Sequence, residues 1–152
     1  MSSSKSFDVL GPVDHLIVEF PAGAVNEQSF AELVDLVDRG LIYVLDLEFV
    51  ERPVQGEPRV IDVSAVSEGP ALSVLAGASS GLLDEDDLRS VAETLAPGTV
   101  AAVVIFENLW IVPMLSALHG SGGRIVSENR VSVEDLLGSL DRVEGAALRS
   151  EV

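Results

Sequence analysis

Residues Asp84 to Asn108 read DEDDLRSVAETLAPGTVAAVVIFEN, and this stretch decides the fold class. Asp84 stands three residues before Asp87, the spacing of a reciprocal capping pattern, and Leu88, Val91, Ala92 and Leu95 follow at helical spacing. Pro97-Gly98 stops that helix. Val100 to Phe106 is then an unbroken apolar, β-branched run too short for most helices, which predicts a strand covered on both faces. A helix, a turn and a buried strand in succession place the chain in a mixed α and β class.

Upstream of this unit, Asp14 to Phe20 (DHLIVEF) alternates as a strand, with Leu16, Val18 and Phe20 on one face and His15, Ile17 and Glu19 on the other. Pro21 to Ala24 breaks it. Asn26 opens a helix through Arg39 that offers Phe30, Leu33, Val34 and Val37 to the core, with Gly40 placed as its left-handed terminator. Leu41 to Val50 predicts a second strand, with Tyr43, Leu45, Leu47 and Phe49 on one face and Ile42, Val44, Asp46 and Glu48 on the other. Pro53 to Pro58 is a turn, and Arg59 to Val66 a third strand hairpinned to the second. Gly69 to Leu83 is rich in small residues and has room for one short helix.

Downstream, Leu109 to Leu118 reads as a helix capped by Asn108 with Pro113 near its first turn, Gly120 to Gly123 as a loop, and Arg124 to Asn129 as a fifth strand. Ser132 and Asp135 form a capping-box pattern before a last helix striped with Val133, Leu136, Leu137, Leu140 and Val143. The order predicts an α+β fold, a ferredoxin-like split β-α-β sandwich (βαββαβ) with a C-terminal α-β-α extension. Residues 1–10 read as a disordered leader, 11–145 as a single α+β domain and 146–152 as a frayed tail.

The chain's 152 residues suit one domain, which at this size buries roughly 68 to 70% of its unfolded surface without a metal or disulfide. With no cysteine, thiol catalysis, iron–sulfur clusters and cysteine zinc sites are excluded. Twenty-five acidic residues against nine basic ones give a net charge of −16, which repels phosphate backbones and anionic lipid. The basic residues are scattered singly, so nucleic acid is excluded as a partner and a basic protein is the complementary one. Thr99 to Leu118 has the length of a membrane span, but Glu107 at its centre would cost on the order of 3 kcal/mol there. A strand followed by a helix explains it better. MSSSKSF at the N-terminus lacks the apolar run of a signal peptide, so the expected location is cytoplasmic and away from membranes.

The span Leu82 to Phe106, with its acidic helix start, LAPGT turn and AAVVIF strand, resembles a broad bacterial family of unknown function described as membrane or stress-related proteins. GPVDHLIVEFP, LVDRGLIYVLDLEFV and FENLW are more similar to a smaller actinobacterial family of unknown function, over about Gly11 to Leu140. The resemblance implies no catalytic residue. Where the broader family has a glycine-rich apolar stretch before the acidic helix, Pro70 to Leu83 is too short for a membrane hairpin.

The inventory for chemistry is short. His15 lies inside a strand, and His119 suits a helix C-terminus, where a cation complements the dipole. No G-x-S-x-G elbow supports a triad. Gly120 to Gly123 runs from helix to strand, the reverse of a phosphate cradle, and reads as a terminator. Asp84 to Asp87 lacks the alternating ligands of a calcium loop. A distributed set remains: His15, Glu19, Asp46, Glu48, Asp62, Ser64 and Glu107 are assigned to the sheet face away from Phe20 and Phe49, among Ile17, Ile42, Val44, Val60, Val103 and Ile105. Such an apolar band needs a cover, which the C-terminal helix, a second subunit or a ligand could supply, and with both helices on the other side a second subunit is the economical one. Trp110 reads as a half-buried core residue or an interface anchor. The expectation is a non-enzymatic, stress-related assembly protein without cofactor or metal, homo-oligomeric through a sheet face. Its alternative is a small metal-dependent or acid–base enzyme, or a ligand-binding protein, using the carboxylates.

Overall fold

The computed structural model describes residues 10–21, 25, 27–66, 69–128, 134, 137–139 and 141–142. Four strands are β1 (Val13–Pro21), β2 (Ile42–Arg52), β3 (Arg59–Ile61) and β4 (Thr99–Asn108). The helices are α1 (Glu27–Asp38), α2 (Val63–Val66), α3 (Pro70–Leu75), α4 (Glu85–Glu93) and α5 (Val112–Gly120), with a 3-10 turn at Ala76–Ala78. Among the described residues the fold is therefore α+β, with one open four-stranded antiparallel sheet and six helical segments up to Gly120.

The helix–turn–strand unit forms as its residues dictate. Asp84 Oδ1 accepts from Asp87 N at 2.8 Å and Asp87 Oδ2 from Asp84 N at 3.1 Å, closing the capping box. Leu88, Ala92 and Leu95 are buried, Gly98 takes φ +84°, and the chain enters β4. The sheet order is β1-β4-β2-β3, so β4 is flanked on both sides, which is why its apolar run is continuous. β1 and β2, joined by α1, are parallel to each other with β4 between them. Gly40 ends α1 at φ +70°, with Leu41 N bonded to Leu36 O and Gly40 N to Val37 O.

One irregularity redistributes the faces. Pairing shifts by a residue between Val44 and Asp46, so Leu45 is an extra residue in β2. Val44 pairs with Phe106 and Leu47 with Val104, which puts Ile42 and Val44 on the same face as Leu47 and Phe49. The strict alternation expected for β2 assigned Ile42 and Val44 to the opposite face. The bulge corrects that assignment and returns both aliphatics to the core. This first core gathers Phe30, Leu47, Phe49, Val63, Leu72, Leu75, Val100, Ala102 and Val104 under α1, α2 and α3. Glu27 in the first turn of α1 accepts from Ala71 N at 2.5 Å and joins α1 to the start of α3.

A second, smaller core lies on the opposite face, where α4 sets Leu88, Ala92 and Leu95 on Val50, Ala101 and Val103. The helices therefore lie on both faces of the sheet, not on one face as the split β-α-β pattern predicts. Three other expectations change. The third strand ends at Ile61, because the Asp62 side chain accepts from Ser64 N at 2.9 Å and from Ser64 Oγ, starting α2 instead. Residues 124–128 form no strand: Ile125 and Val126 are exposed with no ladder beside them. Asn108 stays in β4 rather than capping a helix, and α5 begins at Val112 with Pro113 in its first turn. The helix terminator at Gly120 to Gly123 is present, with Gly123 N on Leu118 O, Gly122 N on His119 O and Gly122 at φ +90°.

The leader before Leu10, the tail beyond Arg142 and the Ser132 cap lie outside the described residues. Glu134, residues 137–139 and residues 141–142 are helical, and Leu137, expected on the core stripe, is exposed. No described helix is long and apolar enough to cross a membrane.

Candidate functional site

Five of the six carboxylates and histidines read as a constellation do share one sheet face. Register sets His15, Ile105 and Asp46 in one row, Ile17, Val103 and Glu48 in the next, with Glu19 beside Ala101 at one end and Glu107 beside Val13 and Tyr43 at the other. Asp62 is displaced, since it caps α2 beyond the end of β3. Its bonds from Ser64 hold its carboxyl below the ordinary carboxylate range.

Asp46 and Glu48 form the centre of the set, and both are buried. They are brought under the loop between the 3-10 turn and α4. Asp46 Oδ1 accepts from Ser80 N and Oδ2 from Leu83 N, each at 2.9 Å. Glu48 Oε1 accepts from Ser79 Oγ at 2.8 Å, and Ser80 Oγ donates to Leu45 O, the carbonyl of the bulge, at 2.6 Å. The two carboxyls are close enough to shift each other. Burial raises Glu48, and its bond to Asp46 and the charge of Asp46 push it further the same way. Burial acts upward on Asp46 too, but the bonds from Glu48, Leu83 and Ser80 outweigh it and hold Asp46 below the ordinary range. The two shifts run in opposite directions, so of the two carboxyls Glu48 takes up a proton first as pH falls and Asp46 stays the better acceptor.

The remaining acids are also engaged with the fold. Glu19 Oε2 accepts from Ala96 N at 2.7 Å and Thr99 Oγ1 at 2.9 Å, fastening the turn between α4 and β4 to β1. Buried Glu107 accepts from Gly11 N at 2.9 Å where the chain enters β1. A side chain at Gly11 would overlap Asn108 O, so the glycine is required. His15 is exposed, as is Trp110 at 60%, which corrects the half-buried expectation; Trp110 Nε1 donates to Asn108 Oδ1 at 3.2 Å. His119 lies in the last turn of α5 as expected.

No group of three His, Asp or Glu side chains among the described residues is placed to hold a metal ion. One groove of about 490 Å³ is lined by Leu10, Leu115, Leu118, His119, Arg124 and Ile125, and another of about 250 Å³ lies between β3 and α4. None of the constellation's residues lines either groove. The residues that the sequence did not single out are Ser79, Ser80 and Leu83. The only signal for them was the serine pair in a small-residue segment.

Among the described residues, β1 and α5 are the strand and the helix with the most apolar surface in water. β1 is half-exposed along its length, with Leu16 at 45%, Ile17 at 43% and Val18 at 42%. α5 (VPMLSALHG) buries none of its residues, although four of them are large and apolar.

A family model described as a family of unknown function (DUF6325) matches residues 9–144. The chain belongs to that family. The match takes in the whole sheet and α5, slightly beyond the Gly11 to Leu140 span read from the sequence. No curated protein and no solved structure matches the chain. Membership in DUF6325 carries no activity, so the site's chemistry rests on its geometry.

Proposed function

We propose that this protein is a non-enzymatic assembly module that self-associates through the β1 edge of its sheet. The observation that carries this reading is β1 itself, a nine-residue edge strand whose apolar side chains on both faces are half in water. Long, apolar edge strands are templates for pairing and are normally shortened, charged or covered. The other edge follows that rule: β3 has three residues, and Arg59 bonds Glu51 at 2.6 Å. The bare apolar surface of α5 adds to the case for a partner.

The carboxylates support this reading over an enzyme, because each is committed to a backbone or hydroxyl donor of its own fold. The same reading takes the fold as a variant of the split β-α-β sandwich, supported by β4 lying between the parallel strands β1 and β2. It places assembly at the edge rather than at a sheet face, since helices pack on both faces.

The test is molar mass by light scattering across protein concentration, with Ile17→Lys as the variant. The wild type is expected to be a concentration-dependent dimer, and a charge at the centre of the edge to leave it monomeric with its thermal midpoint unchanged within a few degrees. A wild type that is monomeric at every concentration would overturn the proposal.

A further inference from the structure

We infer that β1 pairs antiparallel with β1 of a second copy about a two-fold axis at Ile17, joining two four-stranded sheets into one of eight strands. This rests on the self-association reading and adds its partner, direction and register.

The phase of β1 comes from the ladder it already makes. Asn108 N donates to Pro12 O at 2.8 Å, and the β1–β4 register continues without a shift from that pair. In an antiparallel pair the hydrogen-bonded residues alternate, so Asp14, Leu16, Val18 and Phe20 turn their N–H and C=O groups toward β4. Val13, His15, Ile17 and Glu19 turn theirs to the edge that no described strand pairs. Pro21 falls in this outward set, at the end of the strand, where its missing N–H costs no bond inside the sheet.

Self-complementarity selects the register. With the axis at Ile17, Ile17 meets itself, and His15 of each copy meets Glu19 of the other on the face that carries Asp46. Leu16 then meets Val18 on the opposite face, so apolar stands against apolar and imidazole against carboxylate. Glu19 Oε2 accepts from Ala96 N and Thr99 Oγ1, which keeps the carboxylate on that face. Moving the axis by one residue sets His15 or Glu19 against Ile17 and loses both polar matches. Pro21 bounds the ladder, leaving three outward pairs and roughly six new backbone hydrogen bonds.

The absence of cysteine makes the test clean. Hydrogen-bonded partners lie about 5.5 Å apart at Cα, within the 4.4–6.8 Å range that a disulfide spans. Under mild oxidation Ile17→Cys alone is expected to give a covalent dimer. His15→Cys alone and Glu19→Cys alone stay uncrosslinked, their own copies lying about 13 Å apart along the strands, whereas the two mixed give a heterodimer. Hydrogen exchange on the unsubstituted protein provides a second readout: the amides of His15, Ile17 and Glu19 slow at least tenfold as concentration rises, while those of Leu16 and Val18 are protected throughout. A dimeric mass with crosslinks only from a His15→Cys and Ile17→Cys mixture, or only from Met114→Cys, would overturn the register while sparing self-association. A monomeric mass at all concentrations, with unchanging exchange at Ile17, would overturn both.

Discussion

Glu48 and Asp46 carry opposite pH dependences two residues apart. Glu48 is raised in the fold above its ordinary 4.5, so the stability it contributes is complete below that value and is lost as pH rises through the raised folded value. Asp46 is lowered below its ordinary 3.8, so its contribution is present above that value and is lost as pH falls through the lowered one. Glu48→Gln keeps an acceptor for Ser79 Oγ and a donor for Asp46 without a proton to lose. Its expected outcome is stability at pH 7 equal to the wild type or up to about 1 kcal/mol greater, with the decline above pH 4.5 flattened. Asp46→Asn instead turns an amide N–H₂ toward Ser80 N or Leu83 N and is expected to cost about 1–3 kcal/mol. Urea unfolding of both variants between pH 4 and 8 checks the pair. A wild-type decline that survives in Glu48→Gln would show that another group is responsible.

At the level of elements, the phase of β1 separates two neighbouring proline substitutions. Ile17→Pro removes an outward N–H, so the β1–β4 ladder keeps its donors and the fold persists while association is lost. Val18→Pro removes an N–H that faces β4 and is expected to cost about 2 kcal/mol or more, read as a drop of several degrees in the thermal midpoint. Equal damage from both would mean that the phase is wrong. Legibility in the sequence followed the same local chemistry. α4, its capping box, the turn at Gly98 and β4 were readable because cap, period and β-branched run are all local signals. The end of β3 was not, because a two-residue hydrogen bond from Ser64 to Asp62 outweighed a run of strand-forming residues. The bulge at Leu45 was hidden as well, since its stabilising contact is Ser80 Oγ on the bulge carbonyl, 35 residues away. The face shared by His15, Glu19, Asp46, Glu48 and Glu107 came out of alternation alone. What that face does with its carboxylates could not, because their partners are backbone N–H groups of distant turns.

For the whole molecule the governing quantity is a net charge of −16 brought against itself. Two copies meeting at β1 join mainly apolar side chains and backbone groups at the contact, with two short-range His15–Glu19 matches, while the acidic surfaces behind them repel. The contact terms are insensitive to salt, and the repulsion is screened over about 10 Å at 0.1 M and about 3 Å at 1 M. Added salt should therefore strengthen self-association, with the concentration for half-dimerisation falling about tenfold between 0.05 and 0.5 M sodium chloride. A complex of this acidic surface with a basic protein would respond in the opposite sense, because there salt screens attraction. Sedimentation velocity at the two salt concentrations, with Ile17→Lys in parallel, separates the cases. Dimer mass that grows with salt in the wild type and stays absent in Ile17→Lys ties the gain to the β1 edge. Mass that grows equally in both would assign it to another surface, of which α5, with no buried residue, is the first to substitute.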